Sequence, residues 1–235
     1  MATKYGGYMG KVMMIDLTTG QTSEYPWSDE ERRLFIGGKI MAAKILGDNL
    51  KSDTQPLSEE NMLVITTGPF TGSGAPSSSR FNVSTLSPQT GILTSSNCGG
   101  NFGYYLKKAG LDALIIKGRS PEPVWLEICN DNFTLHDASD IWGMHTGRVQ
   151  EVLEDKLRGQ SGRAPKNGKS SSDLPVKTWC AMLPSSATKD LRDAAAPVQS
   201  WDGRTLRLSL FPATARLSCT TLKKSGKSIR AGLNI

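Results

Sequence analysis

The residues with chemical promise in this 235-residue chain lie mainly in two short loops. The first runs from Gly68 to Arg80, GPFTGSGAPSSSR. Its small residues from Thr71 to Ser79 allow the backbone to approach a partner closely, and a guanidinium ends the run. Arg80 can offer several fixed donors to a phosphate or a ring edge, or it can close a surface ion pair; the residues alone leave both readings open. The second loop, Ser96-Asn97-Cys98-Gly99-Gly100, stands between a strand-like run and a helical one. Such a turn exposes N–H groups at a helix start and suits phosphate or another anion. It matches neither GxxxxGK[ST] nor GxGxxG, so it is no Walker or Rossmann fingerprint. Cys98 beside that helix start could carry a lowered thiol pKa. The commoner reading is a small, buried, inert cysteine, and no role is assigned to it.

The remaining candidates exclude more than they suggest. There are two histidines, His136 and His145, and no GxSxG or HExxH, so hydrolase and zinc-protease chemistry lack their parts. His136 reads as a solvent-facing strand residue rather than a base, and His145 is equally bland. Cys98, Cys129, Cys180 and Cys219 are widely spaced with no CxxC pair, which argues against a zinc ribbon or an iron–sulfur site completed by this chain alone. Any metal must then be held mostly by something else. No apolar stretch approaches the roughly 18 residues of a transmembrane helix, and the N-terminus lacks a signal-peptide run, so a cytoplasmic location away from membranes is expected.

The elements that must position these loops are legible. Lys11–Leu17 and Thr22–Tyr25 predict a β-hairpin around Gly20. Ser28 and Glu31 have capping-box spacing, and Ile40, Ala43, Ile45 and Leu46 after Gly37-Gly38 predict a helix packed on a sheet. Strands are predicted at Met62–Thr67, Phe81–Thr85, Gly91–Ser95, Ala113–Lys117, Val124–Asn130 and Asn132–Leu135. Helices are predicted at Asn101–Lys108 and from about Thr146 to Leu157. Strands and helices mix without a regular βαβ period, which predicts an α+β fold with mixed or antiparallel sheets and short helices.

Charge divides the chain. Residues 1–157 hold 14 Lys+Arg against 18 Asp+Glu; residues 158–235 hold 14 against 4. The division is therefore read as an acidic domain, 1–157, and a basic tail, 158–235. A disordered arm that contacts nucleic acid is one reading of the tail. Its charges are scattered, its aromatic residues are few and no nucleic-acid motif is present, so nucleic acid is not the favoured partner.

Three segments, PLSEENMLVITTGPFTGSGAPSSSRFNVSTLSPQTG, SSNCGGNFGYYLKKAGLDALIIKGRSPEPVWL and DASDIWG, resemble in order and spacing the N-terminal domain of aldehyde ferredoxin oxidoreductases, over about Tyr5 to Leu157. The resemblance implies an α+β base that cradles a bis-pterin cofactor carrying tungsten or molybdenum, with a 4Fe-4S cluster supplied by later domains. It implies oxidation of an aldehyde or other oxo compound, with electrons passing to ferredoxin. It further implies that Arg80 is the arginine between pterin and cluster, that the backbone carbonyl of Asn97 helps bind a magnesium ion joining the two pterin phosphates, and that Gly99 is a neighbouring cofactor contact. The chain would then be a shortened cofactor-binding domain, inactive alone. The alternatives are a non-catalytic α+β binding module with a nucleic-acid-contacting tail, or a scaffold subunit completed by another polypeptide.

After Leu157 the resemblance stops. New codons can be built from the last base of each residue's codon and the first two of the next. Ser172–Leu183 then permits G-P-A-G-E-N-L-V-R-Y-A, and Leu191–Ser209 permits A-G-R-G-G-T-G-A-V-M-G-x-K-N-L-K-A-I. Both strings resemble motifs that belong downstream in that family, in the correct order. A one- or two-base insertion or deletion between about Asp155 and Pro165 is the expectation. In that case Cys180 and Cys219 carry no meaning, the tail's charge is a codon accident, and its structure is mostly irregular.

Overall fold

The structure, a computed structural model, describes residues 3–88, 90–129, 132–142, 144, 146–161, 168–170 and 205–210. In chain order the elements are β1 (Val12–Asp16), β2 (Gln21–Glu24), α1 (Asp29–Phe35), α2 (Gly38–Asn49), β3 (Met62–Thr67), β4 (Phe81–Leu86) and β5 (Leu93–Cys98), followed by α3 (Phe102–Lys108). Then come β6 (Ala113–Lys117), β7 (Val124–Cys129), β8 (Asn132–Asp137), α4 (Thr146–Ser161), β9 (Gly168–Ser170) and β10 (Thr205–Leu210).

One sheet has the order β2-β1-β6-β3-β4-β5. Its strands pair antiparallel except for β1 with β6, which run parallel with Val12 opposite Ala113 and Asp16 opposite Lys117. The near-continuous apolar runs of β3 and β6 follow from burial of both sheet faces. Met13, Ile15, Ile65, Leu114 and Ile116 point into a core shared with Phe102 and Leu106 of α3 and with Leu126 and Ile128 of β7. Val12, Met62, Val64, Ala113 and Ile115 point the other way, into a core closed by Trp27 and α2. A second sheet, β8-β7-β10-β9, carries Trp125 against Val149 and Leu153 of α4.

The fold is α+β with a mixed sheet and short helices, as the sequence predicts. The Ser28 capping box forms as expected: its hydroxyl accepts from Glu31 N while Glu31 accepts from Ser28 N. Two local expectations change. On α2 the buried stripe is Met41, Ala42, Ile45 and Leu46, while Ile40 and Ala43 face out, because the i,i+4 pairs Met41/Ile45 and Ala42/Leu46 define one side of the helix. β5 is displaced toward the C-terminus: Gly91, with φ of 69°, lies in the hairpin turn, and Asn97 and Cys98 are strand residues. Pairing with β4 along six residues imposes that strand on a polar run, TSSNC, with little β propensity of its own. Helix α4 continues past Leu157 to Ser161. In the tail the described residues are regular, against the expectation of mostly irregular structure there: α4 ends at Ser161, and β10 pairs with β7 and β9; the rest of the tail, with Cys180 and Cys219, lies outside the described residues.

Candidate functional site

The β4–β5 hairpin fixes the geometry of the two loops. Phe81 pairs with Cys98 and Asn82 with Asn97, so one step beyond the ladder Arg80 and Gly99 leave it side by side. Arg80 and Asn97 are exposed, and nothing lies within 4 Å of a Cβ built on Gly99. The buried Asn82 side chain anchors the pair, since its Nδ2 donates to Asn97 Oδ1 at 3.0 Å and to Ser95 Oγ at 2.6 Å. That bond holds the Asn97 side-chain oxygen toward β4. Among the described residues no carboxylate pairs with Arg80, so its guanidinium is left to face solvent or a ligand.

The small-residue loop is packed against the helix that follows β5. Gly72, with φ of 79°, sits where a Cβ would come 3.2 Å from Lys107 Cβ. A Cβ on Gly103, in the first turn of α3, would come 2.7 Å from Ser79 O. The two segments therefore share one corner: the loop ending in Arg80 lies on α3, and the end of β5 at Asn97 leads through Gly99 into α3.

Beneath that corner lies a buried polar knot that holds the N-terminal segment. Lys107 and Asp112 form an ion pair with side chains 4% and 3% exposed. Lys107 Nζ also donates to Gly7 O at 2.9 Å, and Asp112 accepts from Met9 N at 2.9 Å and Gly10 N at 2.8 Å. Arg32 donates to Gly10 O, and Tyr8 Oη to Ile36 O. Burial pushes the Lys107 ammonium below its ordinary range, against the pull of Asp112, and burial likewise raises the Tyr8 phenol. Gly7 closes the knot, because a Cβ there would meet Pro69 O at 2.5 Å.

The other candidates have different surroundings. Cys98 is the last residue of β5 and is buried, which agrees with the reading of a small, buried cysteine. His136 is half-buried rather than solvent-facing: its ring stacks on Trp125 with centroids 4.3 Å apart, and Nε2 lies 2.9 Å from Glu127 Oε2. His145 lies outside the described residues. No group of three or more His, Cys, Asp or Glu among the described residues could hold a metal ion, and no helix there is long and apolar enough to cross a membrane.

The sequence family "Aldehyde ferredoxin oxidoreductase, N-terminal domain" matches residues 12–169, which contain both loops and the knot's Arg32, Lys107 and Asp112. The chain belongs to the aldehyde ferredoxin oxidoreductase family. It is 36% identical over 153 residues to a tungsten-containing aldehyde ferredoxin oxidoreductase of Thermococcus kodakarensis, covering 65% of this chain and 25% of that protein. It is 35% identical over 165 residues to the aliphatic sulfonate oxidoreductase WOR-like subunit of Pyrococcus furiosus, covering 65% and 26%. Among solved structures, the active-site complex BamBC of benzoyl-coenzyme A reductase matches with a TM-score of 0.64 and 35% identity, over 66% of this chain and 24% of that chain. The chain thus spans about a quarter of the length of these relatives.

Within this aldehyde ferredoxin oxidoreductase domain, sequence reasoning singled out Arg80, Asn97 and Gly99, and the structure brings the three together. It missed Asn82, Thr71, Lys107 and Asp112, which hold the corner in place. Asn82 had a faint signal, an amide inside an apolar strand, which is affordable only when its hydrogen bonds are satisfied. Lys107 had none, because a lysine near a helix end reads as a solvated charge.

Proposed function

We propose that this chain is the N-terminal, cofactor-holding domain of a cytoplasmic oxidoreductase that acts on the aldehyde or oxo group of donors and delivers electrons to an iron–sulfur protein such as ferredoxin. The observation that carries the reading is the meeting of the Arg80 loop with the end of β5 at Asn97 and with Gly99, at one end of the β4–β5 hairpin. The donor set fits a metal-bearing bis-pterin. Arg80 supplies a rigid fork of N–H donors, Gly99 leaves room for close approach, and the Asn97 carbonyl is a hard oxygen ligand suited to magnesium. When bound, the tungsten or molybdenum centre would supply the two-electron chemistry, and a 4Fe-4S cluster, for which the described residues offer no ligand set, would supply the onward electron path. The residues named here bind and orient the cofactor.

One wall of a two-sided cradle retains its ligand weakly, so the chain alone is expected to carry less than one metal per molecule and to show no turnover. Anaerobic purification, followed by tungsten and molybdenum analysis and an aldehyde-dependent viologen assay, tests this. Stoichiometric metal or measurable turnover contradicts it. Residues 158–235 are read as the product of a displaced reading frame. DNA sequence across codons 155–165 that agrees cleanly with the protein, with no family-like reading in the alternate frame, refutes that.

A further inference from the structure

We infer that Thr71 is a positioning residue that fixes Arg80 at the cofactor wall, an inference that rests on the reading of Arg80 given above. Thr71 is 6% exposed and sits where the small-residue loop begins. Its Oγ1 accepts from Gly68 N at 3.2 Å and donates to Arg80 O at 3.2 Å, and its own N–H donates to Gly68 O at 3.1 Å. One hydroxyl thus ties the first residue of the loop to the last. Its γ-methyl faces α3, 3.4 Å from where a Cβ on Gly103 would stand.

The loop's other side-chain bonds are local. Ser73 Oγ donates to Phe70 O and Ser78 Oγ to Ala75 O, and neither reaches Arg80. Without the Thr71 hydroxyl the loop keeps its internal turns and loses the tether that sets where the backbone enters β4. Arg80 is the last residue before that entry, so its carbonyl is pinned on one side by Thr71 while Phe81 is pinned on the other by pairing with Cys98. A long, exposed side chain is thereby presented from a fixed backbone. Holding one binding residue by such a bond is how a supporting shell keeps a site within tolerance.

The test uses the full chain and two variants. Thr71→Val keeps the branched shape and removes the hydroxyl; Thr71→Ser keeps the hydroxyl. Amide hydrogen exchange by NMR is expected to quicken at Gly68, whose N–H loses the Thr71 hydroxyl as acceptor in Thr71→Val, on the order of tenfold for one lost hydrogen bond, with β3 and β6 unchanged. Thr71→Ser is expected to restore the slow exchange. Unchanged exchange in Thr71→Val overturns the tether. In parallel, anaerobic fluorescence titration with metal-free molybdopterin is expected to give weaker binding for Thr71→Val, by several-fold, and near-normal binding for Thr71→Ser. If Arg80→Ala binds molybdopterin as well as the unaltered chain does, the cofactor reading of Arg80 fails even where the exchange data uphold the tether.

Discussion

Two polar corners lie within one helix length of each other, at opposite ends of α3, and they use charge in opposite ways. At the C-terminal end, Lys107 and Asp112 are buried, and their polar atoms bind one another and the backbone of Gly7, Met9 and Gly10. At the N-terminal end, Arg80 and Asn97 are exposed, and only the Asn97 side chain is bonded to the protein, through Asn82. The first corner satisfies its own charges, as a buried ion pair must if it is not to cost stability. The second leaves the Arg80 side chain exposed and the flank of Gly99 open. Charged groups alone therefore do not mark the site; the distinction lies in whether the protein itself answers them.

Removing a charge should separate the corners most clearly. Asp112→Ala strands the buried Lys107 ammonium and leaves the Met9 and Gly10 N–H groups without their acceptor, and the expected loss is about 3–5 kcal/mol of unfolding free energy. Urea denaturation measures it. Lys107→Met combined with Asp112→Asn removes both charges and should recover part of the loss, because the penalty belongs to the uncompensated partner. A loss below about 1 kcal/mol in Asp112→Ala would mean the pair is an ordinary surface-like contact.

Gly103→Ala tests the seam between the corners. The added Cβ would stand 2.7 Å from Ser79 O, a backbone atom, so either α3 or the Arg80 loop must shift. Overpacking of this kind costs about 1–3 kcal/mol. The same denaturation measurement applies, and amide chemical-shift changes concentrated in residues 71–81 and 101–105 would locate the shift. An unchanged spectrum would mean that the helix does not set the loop.

What the sequence made legible followed local physics. The β1–β2 hairpin, the Ser28 cap and the apolar runs of β3 and β6 are dictated by neighbours in the chain, and they form as expected. Arg80 stood out because it ends a run of small residues, whereas Asn97 and Gly99 were reached through the family resemblance of the segment that holds them. The knot was not, since it joins Lys107 to Gly7 and Asp112 to Gly10 across about a hundred residues. No periodicity encodes such a pairing. The position of Asn97 inside β5 was hidden for a similar reason: the strand is imposed by β4, and TSSNC would read as a loop anywhere else.

Asp29 extends the comparison to pH. The Lys4 N–H, then the Thr3 hydroxyl and Arg32, hold its carboxyl below the usual carboxylate range. The unfolded chain therefore binds the proton more readily than the folded one. The stability this provides is fully present above the ordinary carboxylate pKa and is lost as pH falls through the lower folded value. Asp29→Asn should flatten the acid limb of the denaturation midpoint below about pH 5. An acid limb that is the same in both proteins would place the pH sensitivity elsewhere.

The smallest expected effect on stability is the one that sharpens the contrast most. Arg80→Ala removes a charge that nothing in the described protein answers, so its unfolding free energy should stay within about 0.5 kcal/mol of the unaltered chain. If Arg80 instead supported the fold as Lys107 does, the same truncation would cost several times more. Asn97→Ala leaves the backbone carbonyl in place and should disturb magnesium-dependent binding of a pterin phosphate less than Arg80→Ala disturbs binding of the pterin as a whole. Equal losses would mean that the Asn97 side chain, not its carbonyl, meets the ligand, and that the bond from Asn82 must open for binding.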